Sequence, residues 1–278
     1  MIWKTRRRSL QLTRRGVVMG ILNTTPDSFS DGGKHVRAAS ALSYAHQMVK
    51  EGAEIIDIGG ESTRPGAAGV DLAEEIQRTI PLIHSLRNES EVLISIDTSK
   101  ASVARAALEA GADIVNDVTG LRGDPDMPRV CADYQAGVCV MHMQGAPRTM
   151  QQNPDYEGAG GVVAAVQSFF AERFEMLVAL GVDPEAICFD PGIGFGKTLE
   201  HNLELLRHLE ALQQDRPLLL GVSRKSMISA LTGENDPEQR DVATATITAL
   251  AYRDGIRLHR VHNVSMNLQA LRVAEALA

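Results

Sequence analysis

The sequence predicts an α/β chain folded as one closed (β/α)8 barrel of the TIM type, with residues 1–278 in a single domain. Three observations carry this. Eight short apolar or β-branched runs alternate with stretches whose apolar residues recur every three or four positions. The runs are continuous rather than alternating, the pattern of strands covered on both faces in a parallel sheet. Eight such strand–helix pairs over roughly 250 residues suit a closed barrel. A doubly wound open sheet shares this periodicity and is the structural alternative.

Residues 2–15, ahead of the first barrel strand, are predicted to form a short hairpin plugging the barrel's bottom. The strands follow at 17–22 (VVMGIL), 54–58 (EIIDI), 92–96 (VLISI), 113–118 (DIVNDV), 137–141 (GVCVM), 187–190 (ICFD), 217–222 (PLLLGV) and 258–264 (LHRVHNV). Helical spacing covers 38–50, 72–87, 100–110, 161–180, 200–213 and 238–253. Gly52, Gly111, Gly137 and Gly181 stand where helices hand over to strands and read as C-terminal caps. No linker or low-complexity tract divides the chain.

Composition removes several function classes. Of the 278 residues, 28 are Lys or Arg and 35 Asp or Glu, a net charge of −7 that disfavours nucleic acid as a partner but allows an anionic small molecule. No apolar run reaches the length of a membrane span. The basic stretch Met1–Arg15 is followed by no apolar core of a secretion signal. Cys131, Cys139 and Cys188 show no CxxC spacing, so free thiols in a reducing cytoplasm are expected.

In a parallel barrel, ligands meet the carboxyl ends of the strands. Here those ends carry Asn23, Glu61-Ser62-Thr63-Arg64, Asp97, Asn116, His142, Asp190, Ser223-Arg224-Lys225, Arg260 and His262. Asp97-Thr98-Ser99 reads equally as a helix cap. Asp97, Asn116 and Asp190 closely follow apolar strands and are expected to face inward. Buried carboxylates need partners, and the N–C–N edge of a nitrogen-rich heterocycle offers two donors to one carboxylate. Period-two alternation puts Arg260 and His262 on one face of their strand, with His259 and Val261 on the other. Arg260, His262 and Asn23 are therefore placed to meet an oxyanion such as a phosphate.

Two lookalikes fail. GIGFGKT at 192–198 has too short a spacing for a Walker A loop. His259 and His262 lack companions at zinc spacing and point opposite ways. Matches to the N-glycosylation pattern at Asn23, Asn88 and Asn263 lack a secretory context.

The segments at 20–33 (GILNTTPDSFSDGG), 57–66 (DIGGESTRPG), 95–100 (SIDTSK), Asn116-Asp117, 189–197 (FDPGIGFGK), 221–226 (GVSRKS) and 260–264 (RVHNV) together resemble the dihydropteroate synthase family. The resemblance runs from about residue 16 to the C-terminus. It implies a (β/α)8 barrel joining 4-aminobenzoate to 6-hydroxymethyl-7,8-dihydropterin diphosphate, releasing pyrophosphate and forming 7,8-dihydropteroate in folate biosynthesis. By the resemblance Asp97, Asn116 and Asp190 hold the pterin, with Lys225 reaching the ring. Asn23 ligates a Mg²⁺ that bridges the diphosphate, and Thr63, Arg260 and His262 bind the phosphates. Arg64, Pro65, Phe195, Lys225 and Ser226 surround the aminobenzoate, a site that sulfonamides share. Loops 24–35 and 60–70 close over the site, and family members are commonly homodimers. One departure is Asn263, where the family usually has Asp; if it only steadies His262, the change is mild.

The mechanism this implies is loss of diphosphate, then attack by the neutral amine on a pterin methylene cation, with Asp97, Asp190, Lys225 and Arg260 carrying the chemistry. No protein nucleophile is required. The alternatives are a methyltetrahydrofolate-type methyltransferase, which would share the pterin carboxylates but has no use for the diphosphate and aminobenzoate loops, and a non-catalytic pterin-binding homologue. A phosphate-sugar barrel enzyme is disfavoured by the acidic pocket floor.

Overall fold

The structure, a computed structural model, describes residues 1–24, 34–62, 69–146 and 149–278, with no side chains within 34–38. The chain opens with an antiparallel hairpin of Ile2–Lys4 (β1) and Ser9–Gln11 (β2), in which Trp3 pairs with Leu10. Val17–Asn23 (β3), Lys34–Glu51 (α1), Ile55–Gly59 (β4), Leu72–Glu89 (α2), Leu93–Asp97 (β5), Ala101–Glu109 (α3), Ile114–Asp117 (β6), Met127–Asp133 (α4) and Gly137–Met141 (β7) follow. Then come Val162–Ala179 (α5), Ile187–Asp190 (β8), Leu199–Arg207 (α6), Leu209–Leu212 (α7), Leu219–Leu220 (β9), Ser226–Thr232 (α8), Asp241–Arg253 (α9), Leu258–Val261 (β10) and Val264–Ala276 (α10).

Strands β3 to β8 pair in sequence order, and β10 pairs in parallel with both β3 and β9. The remaining seam is closed by a parallel bridge from Phe189 to Leu218 and by the Phe189 N–H donating to Pro217 O at 2.9 Å. The sheet is a closed barrel, which settles the choice against an open sheet.

Alternation along each strand sorts the side chains into two cores. Outward residues, among them Val18, Ile56, Ile94, Val115, Val140, Phe189 and Val261, form one large cluster with the helices. Inward residues Met19, Ile55, Leu93, Ile114, Cys139, Cys188, Leu219 and Leu258 form a second cluster with Trp3 and Leu10 of the hairpin. The hairpin therefore plugs the barrel's bottom, as the sequence predicts. Trp3 is fully buried there and its indole N–H donates to Ala186 O at 2.8 Å. All three cysteines are free and buried.

The boundaries differ in instructive places. Gly52, Gly111 and Gly181 cap their helices with positive φ, but Gly137 does not; Gln135, at φ 51°, turns the chain after α4, and Gly137 starts β7. A side chain at Gly137 would press on the hairpin backbone at Lys4 and Thr5, which explains the glycine. The stretch 200–213 breaks into α6 and α7 at His208. The last strand ends at Val261, short of the predicted 264, because Asn263 accepts the Met266 N–H at 3.0 Å and starts α10. The seven-residue α4 and α8 are too short to show a helical period.

Removing the plug's anchor tests its weight. Trp3→Ala is expected to cost about 3–5 kcal/mol in denaturant unfolding followed by circular dichroism. A loss below about 1 kcal/mol would show that the hairpin only decorates the barrel.

Candidate active site

Above the apolar inner layer the barrel interior turns polar. Asn23, Gly59, Asp97 and Asn116 are direct register partners on β3, β4, β5 and β6, so they form one row across the barrel's upper rim. Gly59 has no side chain in this row; a Cβ there would lie 3.7 Å from Asn23 Oδ1 and 3.8 Å from Asp97 Oδ2, so the gap sits between an amide and a carboxylate.

Arg260 crosses this end of the barrel. Its Nε donates to Asp57 Oδ2 at 2.6 Å and its Nη2 to Asp97 Oδ2 at 2.7 Å. Asn116 Nδ2 also donates to Asp57 Oδ2, at 3.1 Å. Burial opposes the charge of Arg260, but Asp57 and Asp97 more than offset this, holding its guanidinium above its ordinary range. Burial lifts the Asp97 carboxyl to about 7, against the pull of Arg260. Asp97 is thus not a helix cap: the N-cap residue of α3 is Lys100, Asp124 Oδ2 accepts the Ala101 N–H at 2.9 Å, and Thr98 Oγ1 accepts the Lys100 N–H.

Asp190 faces the row from β8. Its Oδ1 accepts the Gly192 N–H at 2.7 Å, and burial raises its carboxyl although Lys225 and that N–H work the other way. Lys225 donates to Ile193 O and sits 4.7 Å from the centroid of the Phe195 ring. Burial lowers its ammonium to about 8. The backbone entering Lys225 is set by Arg224, a non-glycine residue at φ 60°. Its guanidinium makes a two-pronged pair with Asp241, both contacts at 2.8 Å, and Arg240 donates to its carbonyl at 2.9 Å. Lys225 occupies the N-cap position of α8, and Ser226, exposed, is that helix's first residue.

His262 follows Val261, the last residue of β10, and so lies just beyond the strand on which alternation predicts it beside Arg260. Its Nδ1 is 2.9 Å from Ser223 Oγ, and its backbone N–H donates to the same oxygen at 3.1 Å. Asn263 caps α10 and donates to Asp241 Oδ2 at 3.1 Å. It therefore acts on the Arg224–Asp241 pair, and an Asp in its place would set two carboxylates against each other.

Thr63, Arg64 and Pro65 lie outside the described residues, as do 25–33 and 63–68 of the two expected closing loops. The stem of the second loop is described: Glu61 pairs with Lys100, which also holds the fully buried Glu75 at 2.6 Å.

Several participants escaped the sequence reading. Asp57 sits mid-strand inside an apparently apolar run; its period-two phase with Gly59, together with its charge, was the available clue. Val118, Met141, Met143 and Met150 form a buried apolar wall against which Phe195 packs. Lys197 is buried beside Asp190's loop, 3.0 Å from His142, a strand-end residue the sequence did single out.

A closed barrel whose upper rim combines three buried carboxylates, an amide row and flanking cations defines a barrel enzyme built to hold a donor-rich heterocycle beside an anion. Residues 19–262 match the pterin binding enzyme family. The chain is 48% identical over 265 residues to the dihydropteroate synthase of Synechocystis sp., covering 95% of this chain and 91% of that one. Its structure resembles Yersinia pestis dihydropteroate synthase in a sulfonamide drug complex (TM-score 0.92, 42% identity, 100% and 99% covered). It also resembles Xanthomonas albilineans dihydropteroate synthase with 4-aminobenzoic acid (TM-score 0.89, 42% identity, 97% and 95% covered). The chain belongs to the dihydropteroate synthase family of pterin-binding enzymes, and it is a transferase of folate biosynthesis.

Asp57 orients Arg260 and Asn116 together, so its loss should act on both. Asp57→Asn is expected to lower kcat/KM by about 10–100-fold in a folded protein. Unchanged turnover would show that Asp57 merely neutralises Arg260.

Proposed function

We propose that the row at the barrel's rim performs the family reaction in two stages, diphosphate loss followed by amine attack. The observation carrying this reading is the pairing of Arg260 with both Asp57 and Asp97 at the rim, opposite Asp190 and Lys225. Asp190 and Asp97 accept the pterin's N–H donors, a carboxylate meeting two parallel donors being the favoured geometry. Asn116, whose Nδ2 is committed to Asp57, adds its amide oxygen as an acceptor. Lys225 donates to the pterin ring from the side of Phe195.

As the methylene–oxygen bond breaks, the electron pair leaves with the diphosphate and positive charge spreads into the pterin ring. Arg260 and His262 stabilise the departing anion, while the Asp97 and Asp190 carboxylates stabilise the ring cation. The aminobenzoate nitrogen then bonds to the methylene and gives up a proton. Catalysis by this chain is positioning and electrostatics. Thr63 assists at the phosphates, and Arg64, Pro65, Phe195, Lys225 and Ser226 enclose the aminobenzoate, a pocket sulfonamides also enter.

Among the described residues no group of three or more His, Cys, Asp and Glu is arranged to hold a metal. The donor at the rim is the Asn23 amide oxygen, and Mg²⁺ fits such a set because it retains waters and takes substrate phosphate oxygens beside one or two protein ligands. When bound, Mg²⁺ supplies neutralisation of the diphosphate's charge. We place the enzyme in the cytoplasm as a homodimer. Buried free thiols agree with the first, and the exposed Val242, Leu250 and Val273 on α9 and α10 with the second. No helix among the described residues is long and apolar enough to cross a membrane.

Pyrophosphate release with both substrates, and none with either omitted, is the direct test; release from the pterin substrate alone would point to a hydrolase. Asp190→Asn is expected to weaken pterin binding by about 2 kcal/mol or more in calorimetry, because an amide offers a mismatched donor. Unchanged affinity in the folded variant would remove Asp190 from the pterin site. Pyrophosphate is expected to bind more tightly with Mg²⁺ than with EDTA, and Asn23→Ala to abolish most of that difference. A variant keeping the full Mg²⁺ dependence would place the metal elsewhere.

A further inference from the structure

Lys197 is 3% exposed, and among the described residues its ammonium meets no carboxylate within ion-pair distance. Instead Nζ lies 3.0 Å from His142 Nδ1, 3.3 Å from His142 O, and 3.0 Å from both Gly192 O and Phe195 O. Burial lowers its ammonium to about 7 against the pull of Asp190; an amine held there among neutral acceptors is costly, so its placement calls for a role. His142 serves as acceptor: burial, and then Lys197 itself, push its imidazole well below the ordinary range, so the ring is neutral.

These four acceptors belong to two segments, the end of β7 and the turn after β8. The turn is pressed so tightly on the β7 end that a Cβ at Gly192 would fall 1.9 Å from His142 O, and one at Gly196 2.4 Å from Gln144 O. Both glycines also have positive φ, 65° and 62°. Two backbones approaching this closely bring carbonyl oxygens together, and the Lys197 ammonium sits among them. Between the two glycines the turn carries Ile193 O, which accepts from Lys225, and Phe195, whose ring lies beneath the Lys225 ammonium.

We propose that Lys197 is the positioning residue of the aminobenzoate pocket, acting through the Gly192–Phe195 turn to fix the Phe195 ring and the acceptor that aims Lys225. This rests on the reading above that Phe195 and Lys225 border the aminobenzoate. It assigns Lys197 no contact with either substrate. The pterin site, built mainly on Asp97, Asn116, Asp57 and Arg260 from other strands, meets the turn at two points only, Asp190, which accepts the Gly192 N–H, and Lys225, which the two substrates share.

The test is a split between substrates. In Lys197→Met, KM for 4-aminobenzoate is expected to rise about 10-fold or more and KM for the pterin diphosphate several-fold less, since most of the groups that hold the pterin lie on other strands. Gln151 supplies a variant that leaves the core intact. It is exposed and donates to Gly194 O on the same turn at 2.5 Å. Gln151→Ala is expected to give the same selective rise, about 3-fold, as befits one lost hydrogen bond. It decides the matter if Lys197→Met does not fold. Both constants unchanged, both rising equally, or a rise for the pterin alone would overturn the proposal while leaving an active wild type and its assignment untouched. A wild type that does not consume aminobenzoate would instead overturn the assignment, and this proposal with it.

Discussion

Arg260, stretched between Asp57 and Asp97, is the interaction on which the upper half of the barrel depends. Each of the three would be intolerable there alone, since an isolated buried charge is among the costliest groups a protein can hold. Together they tie β10 to β4 and β5, and through Asn116 to β6. The rim that faces a ligand is thereby held rigid by the same groups that give it charge. Replacing the three by well-packed apolar residues is the kind of change that often makes a protein more stable, and here it would leave the rim with nothing to bind.

The division of labour between the barrel's ends follows. The lower interior is filled by aliphatic, sulfur-containing and indole side chains and sealed by the hairpin, so stability resides where no ligand comes. The upper interior concentrates the groups whose burial costs stability. Ion pairs just outside the rim then support it: Arg224 with Asp241 offsets the unfavourable backbone at Arg224 and sets the backbone entering Lys225. Asn263 joins that pair through Asp241, which is why an amide suits this position: it caps α10 and donates in the same stroke.

The barrel was legible because burial on both faces leaves a plain mark, continuous apolar runs at even spacing. The rim residues were legible because polar groups ending such runs have few reasons to be there. Asp57 was hidden by the same logic, lying two residues inside a run whose neighbours are isoleucines. Lys197 was hidden differently. Its sequence context resembles a phosphate loop, and dismissing that motif dismissed its lysine, whose partners lie 55 residues away at His142 and become neighbours only when β7 and β8 pair. Short helices such as α4 and α8 left too few turns for a period, and the tail of the last strand was claimed by a cap whose partner is local. In each case what was missed was fixed by a contact rather than by a pattern.

The protonation states at the rim give the free site its character. Burial brings Asp97 and Lys197 to about 7 and Lys225 to about 8, so near neutral pH the first two are poised between their charged and neutral forms while Lys225 remains mostly an ammonium. A ligand that donates N–H groups to Asp97 favours its carboxylate and lowers its pKa; an anion set beside Lys225 favours the ammonium and raises its pKa. A pterin on Asp97 and an aminobenzoate carboxylate beside Lys225 thus push the two groups in opposite directions, each toward its charged form. Ligand binding in this way favours the charged forms on which the reaction depends. Such an arrangement limits the cost of burying ionisable groups in the empty enzyme while making their strength depend on the ligand they are meant to hold.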